Sequence, residues 1–547
     1  MTDNSNPVPA GGTSASSHAP GAASRSASAP GATRTAIKML GMGQLAILTV
    51  VAVASLRSLP TMATYGLGSI TLYIIPAIVF LVPTALVAAE LATGWQGGIY
   101  GWVKEALGNR WGFLAVWLQW IQNVVWYPVQ LAFIAAAVAF AMGQDHLAND
   151  GIFNAIVILV FYYLATAVTL AGGNLFAKVG SWGGIIGTII PGILLIALGA
   201  IWLIDGQKSQ TPLEASDVVP PFAGIASIVL IVSNFLAYAG MEVNAVHVNE
   251  MKDPGKQYPK AILIASCIIL TVFIVPTIMV AAMVPKSSLG LTDGIMLAFR
   301  VFFEQYGLGW ATYVLAAMIA IGALASVVTW IAGPSKGLLA AGKTGVLPPW
   351  MQKENKRGVQ EGILAVQGVI VTVLALLFVI IPNVSAVFFT LVDMAAALYL
   401  IMYLMMFVAV IRLRSTQPDV HRSYRVPAVK LVAGTGFVAS ALALILGFVP
   451  PSGLVGIPPS LYPYVMIAVI VVLGVPPLLF YAARKPAWRT AEQQGDPITP
   501  AAGQAGGHGG ASAESSSATD ASPKHRGASD DGDPPGSSGS SGSEGGR

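Results

Sequence analysis

The sequence predicts an all-α membrane protein of twelve transmembrane helices, and its composition and its long apolar runs both support this fold class. Of the 547 residues, 55% are hydrophobic and only 10% are charged, whereas a soluble domain carries about 25% charged residues. The mean hydropathy is +0.71. These values exclude a soluble globular protein, a nucleic-acid binder and a disordered scaffold.

The apolar runs are continuous, which indicates helices, since the strands of a membrane barrel alternate apolar and polar residues over about ten positions. A helix needs about twenty apolar residues to cross a hydrocarbon core of about 30 Å. Twelve segments meet this length, and we number them one to twelve in chain order. They are 41–65, 68–92, 112–142, 152–171, 182–204, 222–249, 259–284, 307–333, 360–381, 384–411, 428–449 and 461–483.

Two tails flank the predicted membrane domain of residues 39–489. Residues 1–38 and 490–547 are rich in Ser, Gly, Ala and Pro and contain no apolar run, a composition typical of disorder. The second tail is acidic, with eight acidic and three basic residues. We predict that neither tail forms a core of its own and that residues 1–38 are not a signal peptide.

The distribution of positive charge predicts the orientation. With the N-terminus in the cytoplasm, 22 of the 29 Lys and Arg residues lie on the cytoplasmic side, and the outer loops hold only Lys208, Lys286 and Arg300. Positive residues favour the cytoplasmic side of membrane proteins. Because one missed or added span would invert every later loop, this distribution supports the twelve segments and a cytoplasmic location of both termini.

The sequence gives no sign of a cofactor. Its single cysteine, Cys267, excludes an intramolecular disulfide. The six histidines are scattered, no His, Cys and Asp residues cluster at metal-ligand spacing, and there is no Walker-type phosphate loop. We therefore predict no metal and no cofactor, and an enzyme or an ATP-driven pump has little support.

Segment one contains a charge beside a helix-breaking residue. Arg57 lies near the middle of the segment, and Pro60 follows it. Because proline has no N–H, the carbonyl of Leu56 loses its helical partner, while Ser55 and Ser58 offer local hydrogen bonds. An ionisable group in the hydrocarbon region costs about 2.5–3.5 kcal/mol if unpaired and marks a functional site. We predict that segment one breaks here.

Segment six has a matching interruption. Glu242 lies within it, and the nearby Gly240 allows an unwound backbone. Paired interruptions in corresponding halves indicate an inverted-repeat transporter with its site at the breaks. Free N–H groups there suit a substrate carboxylate, and free carbonyls suit an ammonium.

Three further ionisable residues have alternative interpretations. Asp393 lies in segment ten at a depth similar to that of Arg57, and we hypothesise that the two pair or compete for substrate charges; a purely structural ion pair is the alternative. His247 titrates near pH 6.5 if unperturbed, so it joins Glu242 and Asp393 as a candidate for proton coupling, or is a packing histidine. Glu90 ends segment two, where a cap or gate role is favoured over substrate contact.

Segment three carries a polar stripe on one helical face. In lipid such a face must point inward, where it lines a wet pathway or forms interhelical hydrogen bonds worth about 0.6 kcal/mol each. The stripe consists of Gln119, Gln122, Asn123, Trp126 and Gln130. Residues 95–108, just before the segment, predict an amphipathic interfacial helix. Six of the twelve Trp residues lie between Trp95 and Trp126, and they fit a membrane belt or an inner gate.

Several stretches resemble the amino-acid/polyamine/organocation transporter superfamily, and within it the bacterial glutamate/GABA antiporters of acid resistance. The likeness covers about residues 38–486. The stretches are AAELAT at 88–93 with GNRWGF at 108–113, HVNEMKDPG at 247–255 followed by Tyr258-Pro259, and WIAGPSKG at 330–337.

The resemblance implies a LeuT-type fold, in which segments one to five and six to ten are inverted repeats and segments eleven and twelve are peripheral. It also implies amino-acid exchange by alternating access. Glu242 matches an acidic position linked in such antiporters to the pH response. The residues implied to contact the amino-acid moiety of the substrate are Ala54, Ser55 and Leu56 in segment one, and Tyr238, Ala239, Gly240, Met241 and Glu242 in segment six.

Three residues depart from the antiporter pattern and leave the substrate open. Arg57 has no basic counterpart there, Ser326 stands where a carboxylate is expected in segment eight, and Asp393 is unmatched. Those antiporters also have a C-terminal plug rich in basic, His and aromatic residues. The tail here is acidic and contains no aromatic residue, so we predict no such plug.

We therefore expect a secondary amino-acid transporter of the bacterial plasma membrane, an exchanger of the glutamate/GABA type. Arg57 would attract a substrate carboxylate, and Glu242 would bind an ammonium or change protonation. The other candidate site residues are Gln122, Trp126, Ser326 and Asp393.

Alternatives remain open. If Arg57 and Asp393 neutralise each other, the site suits a neutral amino acid and a proton-coupled symporter; a non-transporting sensor on the same scaffold is a further alternative. The expected partners are amino-acid substrates and the lipid bilayer, with no nucleic acid, and a homodimer is left open.

Overall fold

The computed structural model describes residues 41–489 apart from 54, 173–182, 223, 246–250, 252, 291 and 451–457. Every regular element in this described part is helical. Both predicted tails lie outside it, as do two of the predicted site residues, Ala54 and His247.

Within the described part of the chain, ten helices are long and apolar enough to cross a membrane, and they correspond to segments two to five and seven to twelve. In that order they are Gly66–Gly94, Asn109–Ala141, Gly151–Ala171, Ile185–Ile204, Pro254–Met283, Trp310–Val346, Glu361–Ile380, Val384–Thr416, Val429–Leu446 and Tyr462–Ala483. Segments one and six are interrupted and contain no continuous helix of this length, so the count of twelve spans stays a prediction.

Segment one breaks where the sequence predicts it. Helix Met42–Val53 ends, Ser55 is extended (φ −141°, ψ 131°), and a 3₁₀ turn, Leu56–Ser58, leads into a short helix, Leu59–Ala63. Pro60 has no N–H to donate to the carbonyl of Leu56, and this carbonyl instead accepts a 3₁₀ hydrogen bond from the N–H of Leu59. The chain can therefore resume as a helix with Arg57 in the turn.

Segment six breaks at Gly240. Two 3₁₀ turns, Ile225–Ser227 and Val229–Ile231, precede helix Val232–Tyr238, and the chain restarts as the short helix Met241–Asn244. Between the helices Ala239 is extended and Gly240 has φ 103°. A side chain strongly disfavours this left-handed conformation, which is why glycine occupies the position.

Segment three is the most deeply buried of the ten continuous helices. It packs against segments four, eight, nine and ten and against a helix that precedes it, Gly98–Leu107. The polar stripe therefore lies in the interior of the bundle, as the sequence predicts.

Helix Gly98–Leu107 is the predicted amphipathic helix, but its aromatic surroundings are not a membrane belt. Of the six Trp residues from Trp95 to Trp126, only Trp111 is exposed, at 43%. Trp102 is buried, and its indole N–H donates to the carbonyl of Trp95 at 3.0 Å. The belt interpretation is therefore wrong for this group, because the other five Trp side chains are buried or half-buried within the bundle.

Segment eight extends beyond its predicted end at 333 and remains α-helical to Ala341. Pro334 deprives the carbonyl of Trp330 of its helical partner, and the Tyr127 hydroxyl on segment three donates to that carbonyl at 2.9 Å. The neighbouring helix thus satisfies the freed group, as membrane helices require. The same bond fixes the backbone at Trp330.

Segments five and eight cross at a contact between two glycines. A Cβ built on Gly187 would lie 2.3 Å from the Cα of Gly322, a distance that no side chain permits. The two backbones therefore touch, and this close crossing forms part of the wall of the larger cavity described below.

Candidate functional site

A small chamber lies at the two helix breaks. Its volume is about 60 Å³. Segments one, three, six, eight and ten all contribute to its wall. The lining residues are Val53, Ser55, Arg57, Gln122, Asn123, Trp126, Leu236, Ala237, Ala239, Ser326, Trp330 and Tyr399.

Arg57 provides the charge of this chamber. Its side chain is only 4% exposed, and its guanidinium lies over the ring of Phe388, 5.9 Å from the centroid. The Nε atom has no hydrogen-bond partner, and no acidic side chain among the described residues forms an ion pair with Arg57. A cation–π contact contributes only about 0.5–2 kcal/mol, so the charge is incompletely compensated by the protein.

The hypothesised ion pair between Arg57 and Asp393 is not formed. Asp393 is fully buried, accepts a hydrogen bond from the Tyr462 hydroxyl on segment twelve at 2.6 Å, and has no partner at its other oxygen. On segment ten, Phe388 contacts Arg57 and Tyr399 lines the chamber. At 3.6 residues per turn, these two side chains leave the helix axis in directions that differ by only about 20°. Asp393 lies about 120–140° away from both, so it faces segment twelve.

Glu242 has the opposite environment. The side chain is only 2% exposed. One carboxylate oxygen accepts from the Gln119 amide at 3.0 Å and the Tyr399 hydroxyl at 2.5 Å, and the other accepts from the Tyr403 hydroxyl at 2.5 Å. The Tyr403 oxygen in turn accepts from the N–H of Gly240 at 2.9 Å. Three donors therefore hold the carboxylate, and one of them, Tyr403, also accepts a hydrogen bond from the backbone at the break in segment six.

A second, larger cavity of about 550 Å³ lies beside the chamber. Glu242, Gln119 and Trp102 line this cavity, and Ser55, Ser326 and Trp330 line both. Gln119 and Glu242 thus face the larger cavity, while their partner Tyr399 faces the chamber. The hydrogen-bonded group of Gln119, Glu242 and Tyr399, together with the Trp330 ring, separates the two spaces.

The polar stripe of segment three divides between the two cavities. Gln122, Asn123 and Trp126 line the chamber, whereas Gln119 and Gln130 line the larger cavity. The middle of the stripe therefore faces the chamber, and its two ends face the larger cavity. Gln119 also forms the interhelical bond to Glu242, as one interpretation of the stripe expects, and the wet pathway stays a prediction.

The remaining predicted substrate contacts have different locations. Ser55, Ala239 and Ser326 line the chamber, and Leu56 lines the larger cavity. The residues Tyr238 and Met241 are buried and line neither of these two cavities; the Tyr238 hydroxyl donates to the carbonyl of Tyr73 at 3.0 Å. Gly240 lies against Trp330, since a Cβ there would be 3.0 Å from the indole ring.

Comparison with known proteins identifies the family. The profile of the family described as "Amino acid permease" matches residues 40–473. The chain belongs to the amino acid permease family. This permease is a multi-pass membrane transporter and not an enzyme.

Three relatives show what the permease is similar to. An uncharacterized transporter of Legionella pneumophila is 38% identical over 421 residues, which are 76% of this chain and 90% of that protein. A glutamate/gamma-aminobutyrate antiporter of Lactococcus lactis subsp. lactis is 31% identical over 446 residues, 79% and 88% of the two chains. The aspartate/glutamate permease AcaP of Lactococcus lactis subsp. cremoris is 22% identical over 415 residues, 71% and 83%.

Among solved structures, MhsT in complex with L-phenylalanine aligns with a TM-score of 0.48 at 14% identity, covering 74% of this chain and 97% of that chain.

Glu90 of the permease anchors a loop. Its carboxylate is fully buried and accepts two hydrogen bonds from Arg414, at 2.7 and 2.6 Å, and one from the N–H of Val426 at 2.7 Å. Arg422 lies 3.5 Å from the same carboxylate. These contacts bind the connection between segments ten and eleven to the end of segment two, which agrees with the predicted cap role.

Four residues that sequence reasoning did not select are prominent in the permease site. Trp330 separates the cavities, Phe388 underlies Arg57, and Tyr399 and Tyr403 hold Glu242. The two tyrosines are four residues apart, so they share a helical face, and two hydroxyls on one face of an apolar span are a readable signal. Phe388 carries no such signal. Among the described residues, no three His, Cys, Asp or Glu side chains are grouped to hold a metal ion.

Proposed function

We propose that this permease is a secondary active antiporter that exchanges glutamate for GABA, or a closely related acid for its decarboxylation product, by alternating access. The observation that carries the proposal is the buried guanidinium of Arg57, which faces the chamber at the segment-one break without an acidic partner among the described residues. A substrate carboxylate supplies the missing negative charge. The Lactococcus glutamate/gamma-aminobutyrate antiporter, similar over 79% of this chain, supports this substrate class.

The chemistry of the two substrates fits one site. GABA is glutamate without its α-carboxylate, so both molecules carry an ammonium and a distal carboxylate separated by three carbons. In our proposal Arg57 binds the distal carboxylate that the two share, by charge-assisted hydrogen bonds. The α-carboxylate of glutamate binds free backbone N–H groups at the breaks.

Glu242 is the proposed partner of the ammonium. A carboxylate offers about four lone-pair directions, and three are filled by Gln119, Tyr399 and Tyr403. One direction remains for a substrate N–H from the larger cavity, which Glu242 lines. The substrate would thus extend from the Arg57 chamber past Ser55, Ser326 and Trp330, the residues common to both cavities.

The alternative of a neutral substrate depends on an internally neutralised Arg57. Asp393 is bound to Tyr462 instead, and this separation favours an acidic substrate. Ser326, which replaces the expected carboxylate in segment eight, adds no negative charge that would repel one.

We also propose that both termini are cytoplasmic, because positive residues are concentrated on that side of the bundle. In this orientation the larger cavity, which runs beside the chamber, extends to Trp102 on the cytoplasmic side. The group of Gln119, Glu242, Tyr399 and Trp330 would then act as an inner gate between the Arg57 chamber and the larger cavity.

Counterflow in proteoliposomes tests the proposed exchange. We expect uptake of labelled glutamate to be accelerated by unlabelled glutamate or GABA inside the vesicle and not by lysine or leucine. Uptake that is independent of internal amino acid would contradict an exchanger. Acceleration by leucine and not by glutamate would contradict the acidic substrate.

A further inference from the structure

The charge of Arg57 requires compensation whenever no substrate is bound. Its side chain is 4% exposed and its Nε is unpartnered, and its cation–π contact among the described residues is with Phe388. An unpaired arginine in the hydrocarbon region costs about 2.5–3.5 kcal/mol or more. Between the release of one substrate and the binding of the next, the charge would be left in this environment.

The chamber has the size and the polar lining that suit a small anion. A cavity needs about 10–15 Å³ of such volume to hold one water molecule, so a chamber of about 60 Å³ can hold a monatomic anion with part of its hydration shell. The Ser55 and Ser326 hydroxyls and the Gln122 and Asn123 amides line the same space as Arg57. Hydroxyl, amide and guanidinium groups can all donate hydrogen bonds to an anion.

The residues that could exclude an anion are turned away or already engaged. Asp393 faces Tyr462, and the carboxylate of Glu242 is held by three donors on the side of the larger cavity. Among the described residues, no acidic side chain lines the chamber itself.

We propose that the Arg57 chamber binds a small inorganic anion, with chloride as the representative, in the substrate-free state. The proposal rests on the proposed function in one respect, since the same guanidinium receives the substrate carboxylate. The two anions therefore compete: chloride holds the chamber between substrates and a substrate carboxylate displaces it.

The binding arm of the test uses purified permease without amino acid. The thermal unfolding midpoint is measured as sodium gluconate is replaced by sodium chloride at constant ionic strength. Because a ligand that binds the folded state stabilises it by mass action, we expect the midpoint to rise with chloride in the wild type and in Arg57→Lys, which keeps the charge. It should not respond to chloride in Arg57→Gln. Arg300→Gln, which removes a partly exposed arginine outside both cavities, is the matched control and should respond like the wild type.

The transport arm measures glutamate counterflow at low chloride and at about 150 mM chloride, with gluconate as the balancing anion. Competition at one site predicts a roughly fivefold rise in apparent KM with an unchanged maximal rate. Arg57→Lys should retain this rise.

The outcomes separate the two proposals. A chloride-dependent midpoint that needs the charge at position 57, without any glutamate exchange, supports the anion site and overturns the proposed function. Glutamate exchange in which neither the midpoint nor the KM responds to chloride overturns the anion site alone. A chloride response that persists in Arg57→Gln also overturns it, because the ion would then bind elsewhere.

Discussion

The two helix breaks carry charges of opposite sign, and the protein compensates one of these charges and not the other. At the break in segment six, Glu242 accepts hydrogen bonds from three donors on segments three and ten. At the break in segment one, Arg57 lies over a phenyl ring and has no ion-pair partner among the described residues. The difference indicates a division of labour. The Glu242 carboxylate is held in place by the protein as part of the wall, whereas the charge of the Arg57 guanidinium is neutralised by the anion that the chamber binds.

The largest expected effect comes from Arg57→Gln. Losing a buried charge-assisted contact to substrate costs about 2–5 kcal/mol, so we expect counterflow of glutamate to fall by about 100-fold in kcat/KM, since about 1.4 kcal/mol is a factor of ten. Because the guanidinium is not paired within the protein, the thermal unfolding midpoint measured without chloride or amino acid should not fall. A marked loss of stability would show that Arg57 has a structural partner and would break the comparison.

Glu242→Gln, unlike Arg57→Gln, should destabilise the folded protein. Glutamine has one acceptor oxygen and presents an NH₂ group where the second carboxylate oxygen accepted a bond, so a buried donor loses its acceptor. We expect a loss of about 2 kcal/mol in the free energy of unfolding, measured as a lower thermal midpoint in the same detergent. Unchanged stability would mean that the three donors do not hold the carboxylate.

The two tyrosines sharpen the account of the segment-six break. Tyr399→Phe and Tyr403→Phe each remove one donor to Glu242, but only the second leaves the N–H of Gly240 without its acceptor. We expect Tyr403→Phe to be the more destabilising by about 1 kcal/mol, the cost of one buried unsatisfied amide. Equal midpoints for the two variants would show that Tyr403 does not support the break.

The smallest effect is expected at an exposed pair outside the membrane segments. Arg300 lies 2.7 Å from Asp145, and its hydrogen bond lowers the pKa of that carboxyl below the usual value. A lowered folded-state pKa stabilises the protein above the unfolded-state pKa of about 4, and this stability is lost as the pH falls through the folded-state value.

Both side chains of this pair are about a third or more exposed, at 32% and 44%, so solvent screens the interaction. Asp145→Asn should therefore lower the unfolding free energy by less than about 0.5 kcal/mol at pH 7. Thermal midpoints of the two proteins should converge as the pH is lowered below about 4. A pH-independent difference would assign the effect to packing.

The sequence predicts the breaks well because their causes are local. Pro60 and Gly240 act on their own backbone, and a charge in an apolar run is visible without any tertiary information. The pairing of charges is different in kind. Whether Asp393 contacts Arg57 depends on how segment ten is rotated about its axis relative to segments one and twelve. Segment ten has apolar residues on every face, so its sequence does not determine this rotation.

The same limitation explains the residues that sequence reasoning did not select. Phe388 and Trp330 are ordinary membrane residues until packing brings one under Arg57 and the other between the cavities. The Trp-rich stretch from Trp95 to Trp126 suggests a membrane belt, which is wrong. Tryptophan is favoured both in burial against a neighbouring helix and at a lipid interface, so its presence does not distinguish the two locations.

The most direct test of the role of Arg57 compares glutamate with glutamine, which have nearly the same shape and differ in the charge of the distal group. Inhibition constants for both are measured against labelled glutamate counterflow in the wild type and in Arg57→Gln. We predict that the wild type prefers glutamate by about 100-fold, since a charged pair of this kind is worth a few kcal/mol, and that the variant shows almost no preference. A glutamate preference that survives unchanged in Arg57→Gln would contradict the assignment of the substrate carboxylate to Arg57.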